Sequence, residues 1–94
     1  MKHGILMHRP DDDVGVAVAD LTRGAEIGAI TLEGQPVRAV TLVDDVPLGH
    51  KVAMRDIAGG KDVVEYGRII GIAVQDAPIG SHVHTHCLKT KRWA

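Results

Sequence analysis

Ninety-four residues suffice for one small domain, residues 1–94, with a modest core. Aromatic residues make up only 2%, which removes the stacking platforms that single-stranded nucleic acid needs, and a formal net charge of −1 supplies no basic field for DNA or a membrane surface. One Cys excludes a disulfide framework, and no apolar run approaches the ~20 residues of a membrane helix.

Ile5-Leu6-Met7 predicts a short first strand. The apolar stretch before the first charged cluster is too short for a signal peptide, so a cytoplasmic protein is expected. His8-Arg9-Pro10 ends the strand, and Asp11-Asp12-Asp13 reads as a solvated turn in preference to a cation site. Val14-Gly15-Val16-Ala17-Val18-Ala19 alternates β-branched and small residues, the pattern of a strand with close backbone approach at Gly15. Thr22 to Gly34 is expected to be loop, because Gly24, Gly28 and Gly34 interrupt it. Strands follow at Val37 to Val43, His50 to Met54, Val63 to Tyr66 and Ile69 to Val74. The last has almost no polar residue, which predicts burial on both faces. Tyr66 is expected to be a half-buried core residue. No segment sustains a helical apolar period, so the fold class is mostly β, with short strands and tight turns.

One pattern occurs four times: Asp, an apolar residue, two more, Gly, two more, then Val or Ile. It starts at Asp20, Asp45, Asp56 and Asp76, with its glycine at Gly24, Gly49, Gly60 and Gly80. Pro47 and Pro78 preset φ for a turn, and the glycine supplies positive φ or closes it. The copies are 25, 11 and 20 residues apart, so they form a recurrent corner and not a solenoid.

Two corners launch histidines, His50 after Gly49 and His82, His84 and His86 after Gly80. On a strand, His82, His84 and His86 share one face, while Val83, Thr85 and Cys87 share the other. Two imidazoles about 6.5–7 Å apart at Cα can converge on one ion, with the remaining ligands from His50, His8 or another chain. The histidine strand therefore reads as a metal or acidic-substrate face, or as a solvated polar edge. Lys51 and Arg55 are candidates for a substrate carboxylate. The competing readings are a solvated Lys51 and a surface pair of Arg55 with Asp56 or Asp62. His8 is read as solvated, and Cys87 as a small packed side chain.

Val46-Pro47-Leu48-Gly49-His50-Lys51-Val52-Ala53-Met54-Arg55-Asp56-Ile57, then Tyr66-Gly67 with Ile70-Gly71, then Gly80-Ser81-His82-Val83-His84-Thr85-His86 resemble the SAF-domain region of the altronate and galactarate dehydratase family. Asp12-Asp13-Val14-Gly15-Val16-Ala17-Val18 resembles the opening motif of that region, and sulfolactate sulfo-lyase small subunits are similar. Cys87 departs from the family pattern, which more often has Asn after the last His. The resemblance implies an SAF-type β-clip, either fused to a large catalytic region or made as a separate small subunit. It implies a hydro-lyase subunit that removes water from a sugar acid and is inactive without its large catalytic subunit. A divalent metal, iron or manganese with zinc also suited to imidazole, is then expected at His82, His84, His86 and His50. Self-association is left open. The alternatives are a sulfo-lyase small subunit, or an independent SAF binding or assembly module.

Overall fold

The computed structural model describes residues 3–83 and the backbone of Leu88–Lys89, and the described residues form strands and no helix. The strands are β1 (His3–Met7), β2 (Val14–Ala17), β3 (Glu26–Thr31), β4 (Pro36–Thr41), β5 (Lys51–Ala53), β6 (Asp62–Glu65), β7 (Arg68–Ala73), β8 (His82–Val83) and β9 (Leu88–Lys89). A six-stranded sheet runs in the order β4-β3-β1-β2-β5-β8, and a three-stranded sheet in the order β6-β7-β9. All pairings are antiparallel except β1 with β3.

Two apolar cores share the middle of the larger sheet. One gathers Ile5, Met7, Leu42, Val46, Val52 and Met54 among others, and the second gathers Val14, Ala53, Ile57, Val63, Ala73 and Val83. Alternation along β5 and the residue after it explains the sharing: Val52 and Met54 point into the first core, Ala53 into the second. Gly15 sits where this sheet is tightest. A Cβ there would lie 2.5 Å from the Ile5 side chain, so the close approach expected from the sequence is present.

Two expectations fail on burial and register. The stretch from Thr22 to Gly34 is not loop: it contains β3, which pairs with both β1 and β4. Its glycines punctuate a strand instead of dissolving it. Gly24 and Gly34 flank β3 with φ of 89° and 87°, and Ile27 and Ala29 between them are buried. Nor is the apolar run at β7 buried on both faces. Ile69 is 49% exposed and Val74 52%, because the small sheet covers the second core with one face only.

The four repeated corners close on each other in pairs. In the first pair, Leu21 and Val46 exchange N–H···O bonds of 2.8 and 2.9 Å. Asp45 Oδ1 accepts from Arg23 N–H at 2.8 Å, and Asp20 Oδ1 accepts from Leu48 N–H at 2.9 Å. The second pair repeats this: Ile57 and Ala77 exchange two 2.8 Å bonds, Asp76 Oδ1 accepts from Gly59 N–H, and Asp56 Oδ1 from Ile79 N–H, both at 2.8 Å. Each glycine N–H then donates to the carbonyl three residues before the opposite Asp: Gly24 to Leu42, Gly49 to Ala17, Gly60 to Ala73, Gly80 to Ala53. All four glycines have φ between 84° and 89°, as the pattern requires.

This pairing predicts coupling. Asp20→Ala and Asp45→Ala should each cost about 1 kcal/mol, the value of one exposed carboxylate-to-amide bond. Their effects should depart from additivity, while Asp20→Ala combined with Asp76→Ala should add within about 0.5 kcal/mol. Urea denaturation of the singles and the two doubles reads this directly. Equal coupling in both doubles would mean that the corners are not organised in pairs.

Candidate functional site

The corner geometry brings together two histidines that are 32 residues apart. Gly49 turns the chain into His50, and Gly80 turns it through Ser81 into His82 on the edge strand β8. His50 Nδ1 lies 2.8 Å from His82 Nε2, with ring centroids 4.9 Å apart and the rings tilted by 48°. The outward amide of His82 donates to Asp44 Oδ2 at 3.0 Å, which fixes the start of β8. A contact of this length holds one proton between the two nitrogens, one ring donating and the other accepting. Two imidazole nitrogens on one tetrahedral ion would stand about 3.3 Å apart, so the hydrogen-bonded arrangement at 2.8 Å is not itself a ligand arrangement. Among the described residues no group of three or more His, Cys, Asp or Glu is placed to hold a metal. His84, His86 and Cys87 lie outside the described residues, so the three-histidine face is represented by His82 alone.

Lys51 and Arg55 belong to the other side of this sheet. In register, Lys51 stands opposite Val83 and Val52 opposite His82, so Lys51 and His82 project from opposite faces. Lys51 Nζ pairs with Glu65 Oε1 on β6 at 3.1 Å. Arg55 pairs through Nε with Asp13 Oδ1 at 3.4 Å and donates to the Asp11 carbonyl at 3.0 Å. The carboxylate partner of Arg55 is thus Asp13, neither Asp56 nor Asp62 as its surface-pair reading has it. Lys51 and His50 are neighbours in sequence but do not share a site.

The most constrained point among the described residues is one to which the sequence assigned no role. Asp11-Asp12-Asp13 is not simply a solvated turn, because Asp12 is fully buried at 0% exposure. Asp12 Oδ2 accepts from Arg9 N–H at 3.2 Å and Tyr66 N–H at 2.9 Å, and Oδ1 accepts from Gly67 N–H at 3.3 Å. Asp13 Oδ2 accepts from Val64 N–H at 2.7 Å. The carboxylates therefore bind the loop after β1 to the β6–β7 hairpin. Tyr66 and Gly67 form that hairpin's two-residue tip, both left-handed, with φ of 58° and 70°. Such a tip twists with its strands and normally takes Asn-Gly or Gly-Gly. Here a Tyr holds the position, and it is 54% exposed, not half-buried in the core. Its ring meets the His8 ring at 4.7 Å between centroids, and the Arg9 guanidinium lies 5.4 Å from its centre. The sequence signal was present as Glu65-Tyr66-Gly67-Arg68 between two β runs, an X-Gly hairpin turn.

The family model described as the altronate/galactarate dehydratase SAF domain matches residues 3–91. The chain is 37% identical over 97 residues to "(2R)-sulfolactate sulfo-lyase subunit alpha" of Chromohalobacter salexigens, with 99% of this chain and 100% of that protein covered. It is 46% identical over 79 residues to altronate dehydratase of Escherichia coli (strain K12), covering 84% of this chain and 15% of that protein. Galactarate dehydratase (L-threo-forming) of the same organism is 35% identical over 72 residues, covering 77% of this chain and 12% of that protein. The chain therefore spans a small fraction of the dehydratases it resembles and the full length of the sulfo-lyase subunit.

Proposed function

The chain belongs to the altronate/galactarate dehydratase SAF-domain family, and from that premise we propose that it is the small subunit of a sugar-acid hydro-lyase, working with a large catalytic subunit in the cytoplasm. The observation that carries this is one of proportion. The family match takes in nearly the whole chain, yet the stretch it shares with an altronate dehydratase covers only 15% of that protein. Elimination beside a carboxylate needs a base for the α-proton, an electrophile for the enolate and an acid for the departing hydroxyl. The described residues offer one hydrogen-bonded histidine pair and the two candidate cations Lys51 and Arg55, each paired with a carboxylate, which is part of that set. The rest belongs to the large subunit, so the small subunit alone is inactive.

His50 and His82, with His84 and His86, are proposed to hold a divalent metal in the assembled enzyme. The two nitrogens, 2.8 Å apart in a hydrogen bond, would part to about 3.3 Å to share an ion; imidazole suits iron or zinc, manganese would need oxygen ligands as well, and the remaining ligands would come from outside the pair. Bound there, such an ion would supply a positive charge for the developing enolate. Lys51 and Arg55 enter as carboxylate ligands only by exchanging Glu65 and Asp13 for substrate. A second reading, a sulfo-lyase small subunit, is favoured by full-length coverage of a sulfolactate sulfo-lyase subunit alpha.

The experiment is reconstitution of the chain with a large dehydratase or sulfo-lyase subunit, assayed separately on altronate, galactarate and sulfolactate. No turnover is expected from the small chain alone, and turnover by the complex on one substrate class. His50→Ala and His82→Ala should each reduce turnover about a hundredfold or more and lower the metal content of the complex. Full activity and unchanged metal in both variants would remove the histidine pair from the chemistry. Failure of every substrate with every partner would leave an independent SAF binding module.

A further inference from the structure

The geometry points to a second site on this chain, at the β6–β7 hairpin tip, where Arg9, His8 and Tyr66 bind a carboxylate. Arg9 is held in place from several sides. Its amide donates to buried Asp12, and its carbonyl accepts from Asp12 N–H at 3.2 Å, so the backbone at its root is closed into a turn. Its guanidinium lies over the Tyr66 ring and against Gly67, where a Cβ would come within 2.7 Å of Arg9 Cζ. Gly67 is required for its left-handed backbone, and its lack of a Cβ leaves the guanidinium room to lie against the tip.

What this fixed guanidinium lacks is an acceptor. Arg38 donates to the Met54 carbonyl, Arg55 is paired with Asp13, and Lys51 with Glu65. Among the described residues nothing accepts from the guanidinium of Arg9. A planar fork of N–H donors, oriented by a ring beneath it and by a locked backbone, has the geometry for a planar two-oxygen anion. The exposed His8 ring on the same tyrosine adds a polar edge beside it. The left-handed Tyr66 is the independent observation. A tip that Asn or Gly would form without strain is built from an exposed tyrosine, and backbone held in a sparsely populated region marks function more often than chance. Ordering of these groups before a ligand arrives is what raises affinity for a small anion.

The carboxylate has two sources, the acid group of the substrate or an acidic side chain of the large subunit. The site itself stands on this chain alone; only the choice of source rests on the function proposed above. Acetate is the probe for the first arm, titrated into the full chain while the Arg9 side-chain N–H resonance is followed by NMR. A saturable shift is expected, weakened about tenfold or more by Arg9→Gln and several-fold by Tyr66→Asn, which suits the turn but removes the ring. No saturable shift, or equal binding by Arg9→Gln, would overturn the proposal. In the second arm the reconstituted enzyme carries Arg9→Gln. A raised KM with unchanged assembly assigns the carboxylate to the substrate. Weakened assembly with unchanged KM assigns it to the large subunit. If no complex turns over any substrate, the function proposed above fails while the acetate titration still decides the site.

Discussion

Gly80→Ala should destabilise the fold by about 2–4 kcal/mol, well beyond the same change at the other three repeat corners. All four glycines have nearly the same φ, so each alanine carries the cost of a left-handed backbone, about 1 kcal/mol. Gly24, Gly49 and Gly60 carry nothing further, because a Cβ at each would meet no atom within 4 Å. At Gly80 a Cβ would collide with the Thr41 carbonyl oxygen, with the carbonyl carbon 3.2 Å away. That neighbour is backbone of β4 and cannot rotate aside, so the corner or the strand must move. The displacement would strain Val43 N–H to Gly80 O at 3.0 Å and Gly80 N–H to Ala53 O at 2.8 Å, the bonds that seat β8. For a chain of this size 1 kcal/mol moves Tm by roughly 4–8 °C, so Gly60→Ala should lower Tm by about 5 °C and Gly80→Ala by about 10–25 °C. Thermal melts followed by circular dichroism decide it. Equal shifts would show that conformational strain alone sets the cost at all four corners.

The corners were legible because their chemistry is local. A turn glycine and an anchoring apolar residue appear in the sequence at fixed spacing, and the left-handed φ follows. Which corner faces which was not legible. Asp20 finds Leu48, and Asp56 finds Ile79, through folding of the intervening chain, and spacings of 25, 11 and 20 residues carry no mark of pairing. The same distinction separates the two readings of histidine. That His50 and His82 each follow a corner was visible; that the rings meet at 2.8 Å depends on β5 and β8 being neighbours. Strand β3 was missed because three glycines were weighed as breakers, although two of them only mark its ends. Asp12 was misread for a different reason. A carboxylate amid three is solvated on average, and only the amides of a hairpin 54 residues away make its burial tolerable.

Asp12→Ala should be among the most damaging single substitutions in the described part of the chain, at about 3–5 kcal/mol. The carboxylate is fully buried and satisfies the amides of Arg9, Tyr66 and Gly67 at once. Hydrogen bonds to a charged acceptor are stronger than neutral ones, and removing the acceptor leaves donors facing a cavity that was shaped for oxygen. Two of those donors belong to the left-handed tip, and a left-handed Tyr is unfavourable by about 1–2 kcal/mol on its own. Asp12 therefore offsets a local strain as well as joining two loops. Asp12→Asn keeps one acceptor oxygen, and should lose roughly half as much, because Oδ1 and Oδ2 now serve different amides. Tyr66→Asn should act in the opposite sense and raise stability by about 0.5–1 kcal/mol, since Asn adopts the left-handed tip more readily. Urea denaturation ranks the three variants, and hydrogen exchange at the Tyr66 and Gly67 amides localises the effect. An Asp12→Ala chain within 1 kcal/mol of the parent would show that those amides find other partners. A Tyr66→Asn chain less stable than the parent would mean that ring contacts with His8 and Arg9 outweigh the backbone strain. The tyrosine would then be kept for stability and would no longer mark a functional tip.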